Sequence, residues 1–141
     1  MKPILLYCIG FLFIHSSGAL GQEKTKAPSK RHVADSIEYG MASYYGNKFQ
    51  GRLTTSGEKF DQNKLTAAHN GLPLGTWVRV TNLRNNRSVI VKITDRMHPK
   101  NKRLIDLSRS AAEKLGFVKS GLTKVKVEVM GKKRHHPKAK K

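Results

Sequence analysis

The sequence predicts a small, mostly β domain closed into a barrel, with one short helix near its C-terminal end. Three observations carry this. Valines recur at every second position in "WVRVTNLRNNRSVIVKITDR" and again in "GLTKVKVEVM", the period of strands that bury one face. The stretch "IDLSRSAAEKLGF" has the four-residue spacing of a helix and a glycine to stop it. There is no internal repeat, so the strands are too irregular for a simple meander, and closure is the natural way for such a sheet to protect its edges.

Taken in chain order, residues 1–21 have the form of a secretory leader: Lys2, an apolar run from Ile4 to Ile14, then small residues with Ala19 and Gly21 as cleavage positions. The run falls short of the ~20 residues that span a bilayer. Cys8 lies within the run and is the chain's single cysteine. The mature protein is therefore expected to lack thiol chemistry and to rest on packing alone. Residues 22–36 are a polar, basic lead-in without core material.

The domain is expected to run from residue 37 to residue 130. In "EYGMASYYG", Tyr39, Met41, Ser43 and Tyr45 share one strand face, with Gly40, Ala42 and Tyr44 on the other. The stretch "TTSGEKFDQNKLTAAHNGLP" is loop chemistry, yet it holds Glu58 and His69 in a chain with few acids. Val78 and Val80 begin a hairpin, "RNNR" turns it, and Val89, Val91 and Ile93 share a face on the return strand. Period two then carries Asp95 to that same inward face, where a carboxylate is either bonded structurally or kept for chemistry. Its neighbour Arg96 supplies the simple ion-pair alternative. The helix takes Asp106 or Ser108 as its N-cap and Gly116 as its stop. Val125, Val127 and Val129 face inward on the closing strand.

The last segment, residues 131–141, is expected to be a disordered basic tail. His135 and His136 are adjacent but lack a third metal ligand. Across 141 residues, 28 Lys and Arg oppose 9 Asp and Glu, a formal charge of +19. Such a field selects anionic partners without choosing among nucleic acid, membrane and wall polymer. A nucleic-acid recognition motif is missing, and the leader directs the chain out of the cytoplasm.

The motifs "G-R-x-T-x-x-G-E-x-F", "L-T-A-A-H", "L-P-L", "V-x-V-T-N-L", "D-R" and "I-D-L-S" occur in order between residues 40 and 130. With that spacing the chain closely resembles the domain of the rare lipoprotein A family of bacterial septal lytic transglycosylases. The resemblance implies a six-stranded double-psi β-barrel of the barwin and expansin type, with one or two short helices. It also implies cleavage of the β-1,4 bond between N-acetylmuramic acid and N-acetylglucosamine in peptide-free peptidoglycan strands, leaving 1,6-anhydro ends. Onto this chain the family's functional positions fall as Glu58, His69 and Asp95. No cofactor or metal is implied.

Glycosidic cleavage needs an acid for the leaving oxygen, and the sugar's own 6-hydroxyl replaces water as nucleophile in this reaction class. Asp95 is the expected acid/base, on the expectation that apolar neighbours favour its neutral form. Glu58 is the expected second carboxylate, and His69 is expected to orient the two. Tyr44, Tyr45, Phe49 and Trp77 are expected sugar platforms, and Arg52 a partner for a sugar carboxylate or for Glu58.

Three features depart from the family. "MHP" replaces the usual glycine and proline after "DR", the family's lipid-bearing cysteine is missing, since Cys8 lies inside the apolar run, and the basic tail stands where many relatives continue into a peptidoglycan-binding module. The expected partners are peptidoglycan strands, with anionic envelope polymers at the tail. No specific nucleic acid and no stable membrane anchor after leader removal are expected. The protein is expected to be a monomer in the periplasm or cell envelope. A non-catalytic, expansin-like wall binder is the competing class.

Overall fold

The computed structural model describes residues 36–132. The expected leader, most of the lead-in and the tail beyond Lys132 lie outside the described residues. Six strands form the domain: β1 (Ile37–Tyr44), β2 (Thr66–Ala68), β3 (Trp77–Asn82), β4 (Ser88–Asp95), β5 (Ile105–Leu107) and β6 (Thr123–Gly131). A helix, α1 (Arg109–Leu115), and a single 3-10 turn (Asn47–Phe49) complete it. The strands close in the order β1-β5-β2-β4-β3-β6. The pairs β1/β5 and β2/β4 are parallel, and the other four pairs are antiparallel. This is the closed, mostly β barrel that the sequence predicts.

Alternation builds the core. Val78 lies opposite Val91 and Val129, and Val80 opposite Val89 and Val127, so each inward valine meets two others across the ladder. Ile93, Ile105, Leu107, Val125 and Val127 are fully buried. From α1, Ala111, Ala112 and Leu115 pack onto the same cluster. Asn86, at φ 58, makes the turn expected at "RNNR", and its N–H reaches the Asn82 carbonyl at 2.8 Å.

Ser108 takes the N-cap, its hydroxyl accepting from the Ala111 N–H at 3.4 Å. Asp106 is thereby released from capping and stands in β5. Gly116 ends the helix in the left-handed region at φ 72, where an added Cβ would meet the Arg87 guanidinium at 2.9 Å. Strand β6 continues one residue past the expected boundary, because Gly131 still pairs with Trp77.

The site depends on an irregularity between β2 and β4. Ala67 lies opposite Ile93 and Ala68 opposite Asp95, which leaves Thr94 as an extra residue. A bulge of this kind re-aims the side chains that follow it. Thr94 is buried after Ile93, and Asp95 emerges half-buried instead of continuing the inward face of Val89, Val91 and Ile93. Period two alone placed Asp95 in the core, and the bulge corrects that expectation.

Candidate active site

The end of β4 opens on a cleft of about 420 Å³. Tyr45, Phe49 and Phe60 form its aromatic side, with the Tyr45 ring centroid 4.5 Å from Phe60 and 5.3 Å from Phe49. Asp95 and Asp106 are its carboxylates, and Arg52, Arg96 and His98 line it as well. The guanidinium of Arg52 stands 5.5 Å from the Phe49 ring centre, a cation over an aromatic face.

Asp95 is held by four hydrogen bonds. Its Oδ1 accepts from the Thr55 N–H at 2.9 Å, the Thr55 hydroxyl at 2.8 Å and the Arg96 N–H at 2.9 Å. Its Oδ2 accepts the Tyr45 hydroxyl at 2.8 Å. Burial is the strongest single influence on the carboxyl and pushes its pKa up, but the bonds from Thr55, Tyr45 and Arg96 together outweigh it. The group is therefore held below the usual carboxylate value, opposite to the apolar, neutral setting expected from sequence. The Tyr45 hydroxyl is pushed above its ordinary value by burial first, and then by its bond to Asp95 and the charges of Asp95 and Asp106, which keeps it a donor.

The depressed folded-state pKa has a stability consequence. Asp95 favours the native state at pH values above its unfolded pKa, and that contribution is lost as pH falls toward the folded value. Thermal melts between pH 6 and pH 3 should show the wild type losing more stability on acidification than Asp95→Asn. Equal losses would show that the four bonds do not favour the ionised form.

Asp106 is the member of the site that sequence reasoning assigned elsewhere. Its carboxylate accepts from Arg103 Nε at 2.7 Å and Nη2 at 2.9 Å, and from Asn101 Nδ2 at 3.3 Å. The signal was present in "RLIDLS": Ile105 and Leu107 are buried, so the residue between them projects from the other face of the strand.

The remaining expected residues divide. Tyr45, Phe49 and Arg52 reach the cleft, whereas Tyr44 and Trp77 do not line it. Tyr44 packs edge-on against Phe117 and donates to the Val118 carbonyl at 3.1 Å. Trp77 opens β3 opposite Lys92 and Gly131. Glu58 pairs with Lys92 at 3.1 Å on the surface, while the loop that carries it reaches Asp95 through Thr55 and β4 through the bond from the Ser56 N–H to the Thr94 carbonyl at 3.0 Å. His69 turns its ring to Glu38, 3.0 Å away, not to Asp95. After Arg96, Met97 is buried, and the Asn101 N–H closes onto the His98 carbonyl at 2.8 Å, so the "MHP" segment forms a compact turn on the cleft wall.

Similarity to known proteins agrees with this architecture. A family model described as lytic transglycolase matches residues 37–127. The chain is 50% identical over 99 residues to the endolytic peptidoglycan transglycosylase RlpA of Neisseria meningitidis, covering 70% of this chain and 41% of that protein. It is 45% identical over 108 residues to the protein of that name from Campylobacter jejuni, covering 77% and 39%. The chain thus spans about two fifths of the length of these relatives. Among solved structures, a mutant expansin of Clavibacter michiganensis in complex with cellohexaose matches at a TM-score of 0.56 and 16% identity, covering 72% of this chain and 54% of that one. This last likeness bears on the fold alone. With its motifs, its closed barrel and the match across residues 37–127, the chain belongs to the lytic transglycolase family of double-psi β-barrels.

Proposed function

We propose that the protein is an exported, endolytic peptidoglycan lytic transglycosylase, a lyase that cuts the β-1,4 bond between N-acetylmuramic acid and N-acetylglucosamine in peptide-free strands. The observation that carries this reading is a carboxylate, Asp95, fixed by four donors in a cleft with an aromatic side. The names of the relatives support it.

In the proposed step the bond from C1 to the leaving O4 breaks, and O4 takes a proton from Asp95. The 6-hydroxyl of the same sugar forms the new bond to C1 and returns its proton to Asp95. No water is consumed. Oδ1 already accepts three donors, so the proton given to O4 is carried on Oδ2. Filling the cleft with glycan removes water, increases the burial that already raises this pKa, and moves Asp95 toward its acid form. Asp106, fixed by Arg103 and Asn101, supplies the second negative charge, which stabilises the oxocarbenium-like state. Glu58 supports the Thr55 loop from outside the cleft. The periplasm or cell envelope is the proposed compartment, and the basic tail is the proposed contact with anionic envelope polymers.

Purified protein incubated with peptide-free glycan strands should release 1,6-anhydromuramyl products, each one water lighter by mass spectrometry than its hydrolytic counterpart. Reducing ends in their place would make the protein a hydrolase. Binding without any cleavage would favour the expansin-like reading.

A further inference from the structure

His69 is the expected site residue that the cleft leaves out, and its bonds give it a different task. The residue is 3% exposed. Its Nδ1 accepts the N–H of Gly71 at 3.0 Å and of Leu72 at 3.1 Å. A nitrogen that accepts two backbone donors carries no proton, so the ring hydrogen sits on Nε2 and is donated to Glu38 Oε2 at 3.0 Å. Glu38 stands near the start of β1, half-buried and in phase with the buried Ala42. The ring therefore spans from the first strand to the loop after β2, and every one of its polar positions is used.

That loop is tied to the cleft wall at three points. The His69 N–H donates to the Asp95 carbonyl at 3.2 Å, Arg96 Nη1 donates to the His69 carbonyl at 2.7 Å, and the Met97 N–H donates to Asn70 Oδ1 at 2.8 Å. Asp95, Arg96 and Met97 all line the cleft. We propose that Glu38 and His69 form a positioning pair: Glu38 fixes the ring, the ring fixes the turn over residues 69–72, and the turn sets the segment from Asp95 to Met97, with neither side chain touching substrate. Glu38 thereby joins the site although it lies outside every motif of the family resemblance.

The proposal rests on the transglycosylase reading for its kinetic arm only. Asparagine distinguishes positioning from ring chemistry, because its side-chain oxygen accepts from the N–H groups two and three residues ahead as Nδ1 does here. His69→Asn should keep most of kcat. His69→Ala and Glu38→Ala should lower kcat by about 10- to 100-fold, the range expected when reacting groups move by about 1 Å. Glu38→Gln, which still accepts from Nε2, should restore activity. Long-range ¹H–¹⁵N spectra of the wild type should show His69 with its proton on Nε2. The Met97 amide resonance should move in the two alanine variants and stay in His69→Asn.

A folded His69→Asn as inactive as His69→Ala would overturn the proposal, as would a proton on Nδ1 or a Glu38→Ala variant unchanged in both kcat and the Met97 resonance. If wild type cuts no glycan, the transglycosylase reading fails, while the tautomer and the Met97 resonance still decide the positioning pair. If His69→Ala does not fold, Glu38→Ala and His69→Asn decide it.

Discussion

Asp95→Asn should lower kcat on peptide-free glycan by about two to four orders of magnitude, the range that general acid catalysis supplies, while glycan binding stays close to wild type and the variant stays folded at neutral pH, melting lower only by the contribution of the ionised carboxylate. Asparagine keeps an acceptor for Thr55 and Arg96 and removes the transferable proton, so the loss is chemical and not architectural. The wild-type pH profiles should differ in a definite direction. In the proposed step the acid form is the active one, so rates should fall as pH rises through the pKa of Asp95. In the free enzyme that pKa lies below the usual carboxylate value, so kcat/KM should decline at lower pH than kcat, which reports the glycan-filled cleft. Steady-state kinetics from pH 3 to pH 8 would measure both. An Asp95→Asn variant with near wild-type kcat would remove Asp95 from the reaction and transfer the acid role to another carboxyl.

The largest stability effect should come from a three-residue strand. Leu107 is fully buried and lies in register with both Tyr44 on β1 and Ala67 on β2, so one side chain supports two seams of the barrel. Leu107→Ala should cost roughly 3 kcal/mol through lost burial and the cavity left behind. For a domain near 100 residues that corresponds to a drop of about 15 °C in Tm. Calorimetry would read it directly. A shift of only a few degrees would mean that the neighbours collapse into the space.

How much of this was legible in the sequence depended on whether the governing rule was local. The valine alternation specified β3, β4 and β6 because period two is a property of the strand itself. Ser108 and Gly116 marked the ends of α1 because capping is completed within a few residues. Thr55, Tyr45 and Glu38 were not readable as partners of Asp95 and His69, since each contact joins segments distant along the chain. The N-cap was left open between Asp106 and Ser108 because Asp and Ser serve equally there, and the pairing of Asp106 with Ala68 in the barrel decides between them. Asp95 was identified by the family pattern while its setting was misjudged. A bulge at Thr94 leaves no mark in hydrophobic periodicity, and it converts an apolar environment into a ring of donors.

The parallel pairing of β1 with β5 and of β2 with β4 has a kinetic consequence. Ala42 must wait for Ile105, and Thr66 for Lys92, before either pair can form; such non-local closures are slow because chain entropy is lost before contacts compensate it. The groups around the cleft, Tyr45, Thr55, Asp95 and Asp106, come from four stretches that meet only after those closures. Catalytic competence should therefore arrive in a single late event during refolding, together with full protection of the β5 amides from hydrogen exchange. A chain nicked and separated between β2 and β3 should recover nothing from either piece alone.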